Sequence, residues 1–102
     1  VTRIPLHSEY LPLVESGRKR STIRAGQRQI PPGKAEIVAG GCAVPVQVTQ
    51  TVQKPFKALD HADAIADGFD SLESLRGALH GFYPGLSADD IVSVIYFERT
   101  GH

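Results

Sequence analysis

Between Gly17 and Arg24 the chain reads Gly-Arg-Lys-Arg-Ser-Thr-Ile-Arg, four cations and two hydroxyls in eight residues. No Asp or Glu occurs between Ser16 and Ala35. Arg and Lys grip phosphate or carbonyl oxygens, and a threonine hydroxyl beside them supplies a hydrogen bond or a nucleophile. An acidic stretch follows later, with Asp60, Asp63, Asp67, Asp70 and Glu73. A carboxylate such as Asp67, facing a lysine across a cleft, orients the ammonium, accepts a base amino group or serves as a general base. Against this stands the plain alternative that charge runs are solvated faces, and that a strand with positive decoration is an ordinary sheet edge.

The elements that must place these groups are legible in part. Thr2 to Leu6 reads as a first strand. Ser8 is placed to cap a helix whose Tyr10, Leu13 and Val14 share one face, and Gly17 ends that helix. Ser21 to Arg24 then forms a strand, on which Arg20, Thr22 and Arg24 share one side and Ile23 anchors the other in the core. Ala25 to Gly33 is a loop that carries Arg28. Ala35 to Ala39 and the alternating Val44, Val46, Val48 run are strands joined by a Gly40-Gly41 turn, with Pro45 marking an edge or a bulge. Asp60 caps a short helix, 61–66, stopped by Gly68. Asp70 and Glu73 stand at capping-box spacing before a second helix bearing Leu72, Leu75, Leu79 and Phe82. Ile91 to Phe97 is the last strand. Short strands with helices inserted near the start and after the middle lack the βαβα rhythm of a parallel sheet. The class is α+β, with strands curling into a small barrel or a strongly bent sheet.

The whole chain, 1–102, reads as one domain with one core. It carries 11 basic and 11 acidic residues, so net charge gives no general reason to bind a polyanion. No stretch is apolar enough to span a membrane, and no export signal opens the sequence, which makes the cytoplasm the default expectation. A start at Val1 is compatible with a non-standard start codon or with trimming. Cys42 is alone and reads as a small buried apolar residue. The four histidines lack metal-ligand spacing, and no cofactor motif is present. Phe82 and Phe97 read as core; Tyr83 and Tyr96 are candidate stacking surfaces for a base.

The segment Gly17-Arg18-Lys19-Arg20-Ser21-Thr22-Ile23-Arg24 resembles the G-x-K-x-x-T-I-R signature of the ASCH domain family. The Pro-Gly turn before a strand, Asp63-Ala64, Asp67-Gly68-Phe69, the Leu75 to Tyr83-Pro84 helix and the closing Val94-Ile95-Tyr96-Phe97-Glu98 agree in order and spacing. The resemblance implies a PUA-like β-barrel with flanking helices, and a cleft shared by the signature and the acidic segment. It also implies RNA-related work. ASCH domains act as coactivator modules and nucleic-acid binders, and one bacterial branch hydrolyses N4-acetylcytidine with a Lys, a Thr and a Glu. Lys19 and Thr22 match the first two, and Asp67, one methylene shorter, best matches the third.

The reading that follows is a module that binds RNA or a modified nucleoside between these two segments. Lys19, Thr22 and Arg24 make specific contacts, and Arg18, Arg20 and Arg28 lend general positive charge. An amidohydrolase using Lys19, Thr22 and Asp67 on N4-acetylcytidine is the alternative, with a ribonuclease third and recognition of a modified base without turnover also open. Monomer and homodimer are equally compatible with the sequence.

Overall fold

A computed structural model describes residues 2–100. Among these residues lie five strands and three α-helices, in the order β1 (Thr2–Pro5), α1 (Leu11–Glu15), β2 (Ser21–Ala25), β3 (Gly33–Ala39), β4 (Cys42–Pro55), α2 (His61–Ala66), α3 (Leu72–Phe82) and β5 (Ile91–Arg99). Short 3-10 turns precede α1 and follow β4. The strands make one mixed sheet in the order β1-β3-β4-β5-β2, with β1 parallel to β3 and the other pairs antiparallel. The α+β class expected from the sequence is what forms, as a half-barrel with flanking helices. β1 and β2 are its edges, and the Arg24 guanidinium of β2 donates a hydrogen bond to the Pro5 carbonyl that ends β1. A side chain thus spans the gap that no backbone ladder closes.

β5 explains how so small a chain holds two apolar clusters. Val92, Ser93, Val94 and Ile95 are all buried, so both faces of this strand are covered. Ile95 and Phe97 point into a cluster with Ile4, Val14, Ile37, Val46 and Val48. Val92 and Val94 point the other way, into a cluster of Ile23, Phe56, Leu59, Leu75 and Leu79. α2 and α3 exist to cover this second face.

Several sequence expectations are corrected. Ser8 caps no helix: the segment begins as a 3-10 turn without a side-chain cap, and Ser8 packs against the Gly40 turn instead. Helix α3 is capped by Ser71, whose hydroxyl accepts from the Ser74 N–H at 3.1 Å. Asp70, one residue earlier, turns away to pair with Arg18. The Asp60 cap does form, as a reciprocal box in which Asp60 and Asp63 accept each other's backbone N–H at 2.9 and 3.0 Å. Pro45 lies on an interior strand, opposite Glu36, where the pairing of β4 with β5 ends at Val46 and Arg99. The bulge lies further on, between Val48 and Gln50. β4 continues to Pro55, well beyond the alternating Val44, Val46, Val48 run. Cys42 is exposed: it has the inward parity of Val46 and Val48, but the core does not extend to the hairpin end. Phe97 is core, whereas Phe82 is 43% exposed. The α3 stripe runs one turn further than the sheet it packs on.

This last contrast is measurable by urea denaturation. Phe97→Ala should lose roughly 3–5 kcal/mol, as for a filled core site. Phe82→Ala should lose less than about 1 kcal/mol.

Candidate functional site

The signature segment is set by backbone bonds at both ends. Gly17 leaves α1 at φ +82°, a left-handed conformation that its lack of a Cβ permits. The Lys19 N–H then donates to Leu13 at 2.9 Å, turning the chain so that Lys19 projects inward. The Arg20 N–H donates to Ala66, the last residue of α2, at 2.6 Å, and the Arg20 carbonyl accepts from Phe97 at 3.0 Å. The strand carrying the cations is therefore tied directly to the end of the helix carrying the carboxylates.

α2 ends by its own geometry. Asp67 occupies the C-cap, and Gly68 follows at φ +91°. A Cβ on Gly68 would sit 3.3 Å from Leu13 Cδ1 and 3.4 Å from Lys19 Cβ. Glycine is needed here for the backbone conformation and for close approach of the Lys19 segment.

Between these two turns the Lys19 ammonium meets the Asp67 carboxylate. It also donates to the Asp67 backbone carbonyl at 3.1 Å and lies 5.5 Å from the centre of the Tyr10 ring. Lys19 is 4% exposed and Asp67 5%, so the pair is withdrawn from bulk water. Burial, with a smaller contribution from the Arg24 guanidinium, lowers Lys19 to about 7. Burial thus favours the free amine, against the Asp67 carboxylate, which favours the ammonium.

The pair lies at a cavity of about 230 Å³, lined by Thr22, Ile23 and Arg24 from β2, by Tyr10 and Phe69, and by Leu75, Leu79, Phe82 and Tyr83 of the α3 region. That is below the roughly 300–1,000 Å³ usual for drug-sized ligands, so the space suits one planar ring system rather than a chain of them. Thr22 is buried at 3% exposure and also lines the cavity. At the mouth, His7 stacks on Phe82 with ring centres 4.9 Å apart and planes 14° from parallel.

The structure brings Lys19, Thr22, Arg24 and Asp67 together and leaves the other three predicted residues outside. Arg18 pairs with Asp70 on an exposed face, where ion pairs contribute little. Arg20 is exposed and lines no part of this cavity, contrary to its expected grouping with Thr22 and Arg24. Arg28 lies on a separate groove with Gln29, Gln50 and Gln53, its Nε–H donating to Ala25 at 3.2 Å. The expected basic wall is thus dispersed, and the cleft itself is two-signed. Tyr96 faces away too, its hydroxyl donating to Asp63 at 3.3 Å beside Lys54. The sequence reading missed Leu6, His7, Tyr10 and Phe69, and it placed Phe82 in the core. Tyr10 and Phe82 obey helical apolar spacing, which marks a covered face without telling core from pocket.

Because both ions are buried, removing one should be worse than removing both. Asp67→Ala should lose about 3–5 kcal/mol in urea melts, by leaving an ammonium without its partner. Lys19→Met with Asp67→Leu should lose less than either single change, a coupling read by a double-mutant cycle.

No protein-family model matches this sequence, and no curated protein matches it. Solved structures do. The high-resolution crystal structure of an ASCH domain from Lactobacillus crispatus is similar at a TM-score of 0.78 and 16% identity, over 99% of this chain and 81% of that one. A mutant of the Zymomonas mobilis ASCH protein is similar at 0.68 and 16% identity, over 94% of this chain and 67% of the other. A solution structure of a Pyrococcus furiosus protein gives 0.64 and 20% identity, over 99% and 98% of the two chains. At such identities what is shared is architecture, and the chain has the fold of an ASCH domain.

Proposed function

We propose that this chain is an ASCH-family protein that takes one modified pyrimidine nucleoside into the Lys19–Asp67 cavity and hydrolyses an N4-acyl amide from it. The observation that carries the reading is the buried Lys19–Asp67 pair at a cavity of single-base size, with Thr22 among the residues that line it. Apolar walls from Ile23, Phe69 and Leu75 suit the faces of a base. The dispersal of Arg18, Arg20 and Arg28 weighs against a continuous track for an RNA backbone, which the ribonuclease and general RNA-binding readings would use.

The chemistry asks for three groups, Lys19, Thr22 and Asp67. Free Lys19 amine accepts the proton of the Thr22 hydroxyl, or of a water that Thr22 orients, as oxygen attacks the acyl carbonyl carbon. The resulting Lys19 ammonium returns the proton to the exocyclic nitrogen as the C–N bond breaks, and cytidine leaves as a neutral amine. If Thr22 was the nucleophile, its ester is hydrolysed by water with the same amine as base. Asp67 holds the Lys19 nitrogen in position and stabilises it when charged. A lysine lowered to about 7 is matched to this double duty at neutral pH.

Incubation with N4-acetylcytidine should release cytidine and acetate in equal amounts, and Lys19→Ala should abolish release while the far-ultraviolet circular dichroism stays unchanged. Tight binding of the nucleoside with no product would replace the hydrolase by a module that only recognises the modified base. Neither binding nor product would sink both.

Activity should follow the free amine of Lys19. The rate should rise with pH through about 7 and level off above, with turnover at pH 6 about a tenth of the plateau. A rate that is flat from pH 5.5 to 8.5 is incompatible with this base.

A further inference from the structure

A second hollow adjoins the first. It holds about 300 Å³ and is lined by Pro5, Leu6, His7 and Arg24. Leu6, His7 and Arg24 also line the Lys19 cavity, so the two spaces share a wall. The inner space contains the one carboxylate of either lining, Asp67, and Lys19 occupies it. The outer space contains none.

Arg24 stands at the junction with its charge uncompensated. Among the described residues, none of the ion pairs involves it. One N–H goes to the Pro5 carbonyl, and the Tyr83 hydroxyl lies beside the head group. A guanidinium carries five N–H donors, so others remain for a ligand. Burial lowers its ordinary pKa, consistent with a cation partly withdrawn from water with no anion to balance it. His7, whose ring is fixed against Phe82, adds imidazole nitrogens at the same junction. A half-buried, geometrically fixed arginine without a carboxylate, opening on a hollow that no acidic residue lines, is the arrangement that a planar or tetrahedral oxyanion completes.

We propose that the Arg24–His7 hollow receives a phosphate group carried by the same ligand whose base enters the Lys19 cavity, so that the preferred ligand is a nucleotide and not a free nucleoside. This rests on the base-binding reading given above. Shared walls place the two subsites next to each other, as a base and its sugar-linked phosphate are. The phosphate has two sources, a monoester on a single nucleotide or a phosphodiester within a short RNA, and both satisfy the same guanidinium.

The test is calorimetric titration of the full chain with N4-acetylcytidine, its 5′-monophosphate and a dinucleotide containing it, using an inactive Lys19→Ala background if turnover interferes. The monophosphate or the dinucleotide should bind about tenfold or more tightly than the nucleoside. That advantage should shrink with added salt and vanish in Arg24→Gln, while the nucleoside's own affinity changes less. Arg24→Lys, which keeps the charge without the fork, should retain part of the advantage, and its thermal melt should match the parent. A larger gain for the monophosphate assigns a monoester pocket, and a larger gain for the dinucleotide assigns an RNA strand. Equal affinity for all three ligands overturns the phosphate subsite and leaves the base pocket standing. An advantage that survives Arg24→Gln overturns the assignment to this hollow. No binding of any of the three overturns both readings.

Discussion

Bringing an ammonium and a carboxylate together under protein costs several kcal/mol of lost hydration for each, and their attraction returns this only in good geometry. Much of the local architecture around Lys19 and Asp67 serves that geometry. The left-handed Gly17 and Gly68 let two chain segments turn toward each other. The Arg20-to-Ala66 backbone bond holds the segments in register. The Asp60–Asp63 box fixes the other end of the helix that presents Asp67. Hydrophobic residues of equal volume would fold at least as well in this place, so an ion pair kept here at a cavity points to use in chemistry or recognition rather than in stability.

The same pair reconciles two features of the charge distribution. Basic residues crowd one stretch of sequence and acidic residues another, yet the folded chain pairs the stretches across the α1–β2 and α2–α3 corners. Arg18 meets Asp70 outside while Lys19 meets Asp67 inside. Adjacent residues thus take opposite fates. The outer pair is solvated and contributes little to stability, while the inner one has its proton affinity shifted by burial. What remains unbalanced in the cleft is a single guanidinium, Arg24, which also ties together the two edges of the half-barrel.

Much of the fold was legible in the sequence because period-2 and period-3.6 patterns report burial directly. The β-rich Ile91 run, the valine alternation, the Asp60 cap and the Gly17 stop depend on neighbours within a few residues. Lys19, Thr22 and Asp67 were legible as chemistry because their types and order match a known signature. The fate of Arg20 and Arg28 was not, since strand parity says which side a residue takes but not where the cleft ends. Phe82 and Cys42 failed for one common reason. Each has the parity of a buried position, but the core stops short of it, and where a core stops is a property of the assembled sheet. Ser71 displaced Asp70 as cap because Arg18, more than fifty positions away, claims the aspartate.

The parallel pairing of β1 with β3 carries a consequence for solubility. Among the described residues, four, Thr2 to Pro5, pair along the outer edge of a seven-residue strand whose middle includes Ala35 and Ile37. A detached β1 would leave that backbone edge unpaired beside an apolar surface, a template on which a second chain can add its own strand. Pro5, with no N–H to offer, and the Arg3–Glu36 pair on the flank make β1 itself a poor template in turn. The first strand is thus a guard as much as a structural member, and aggregation is the property that its loss would change first.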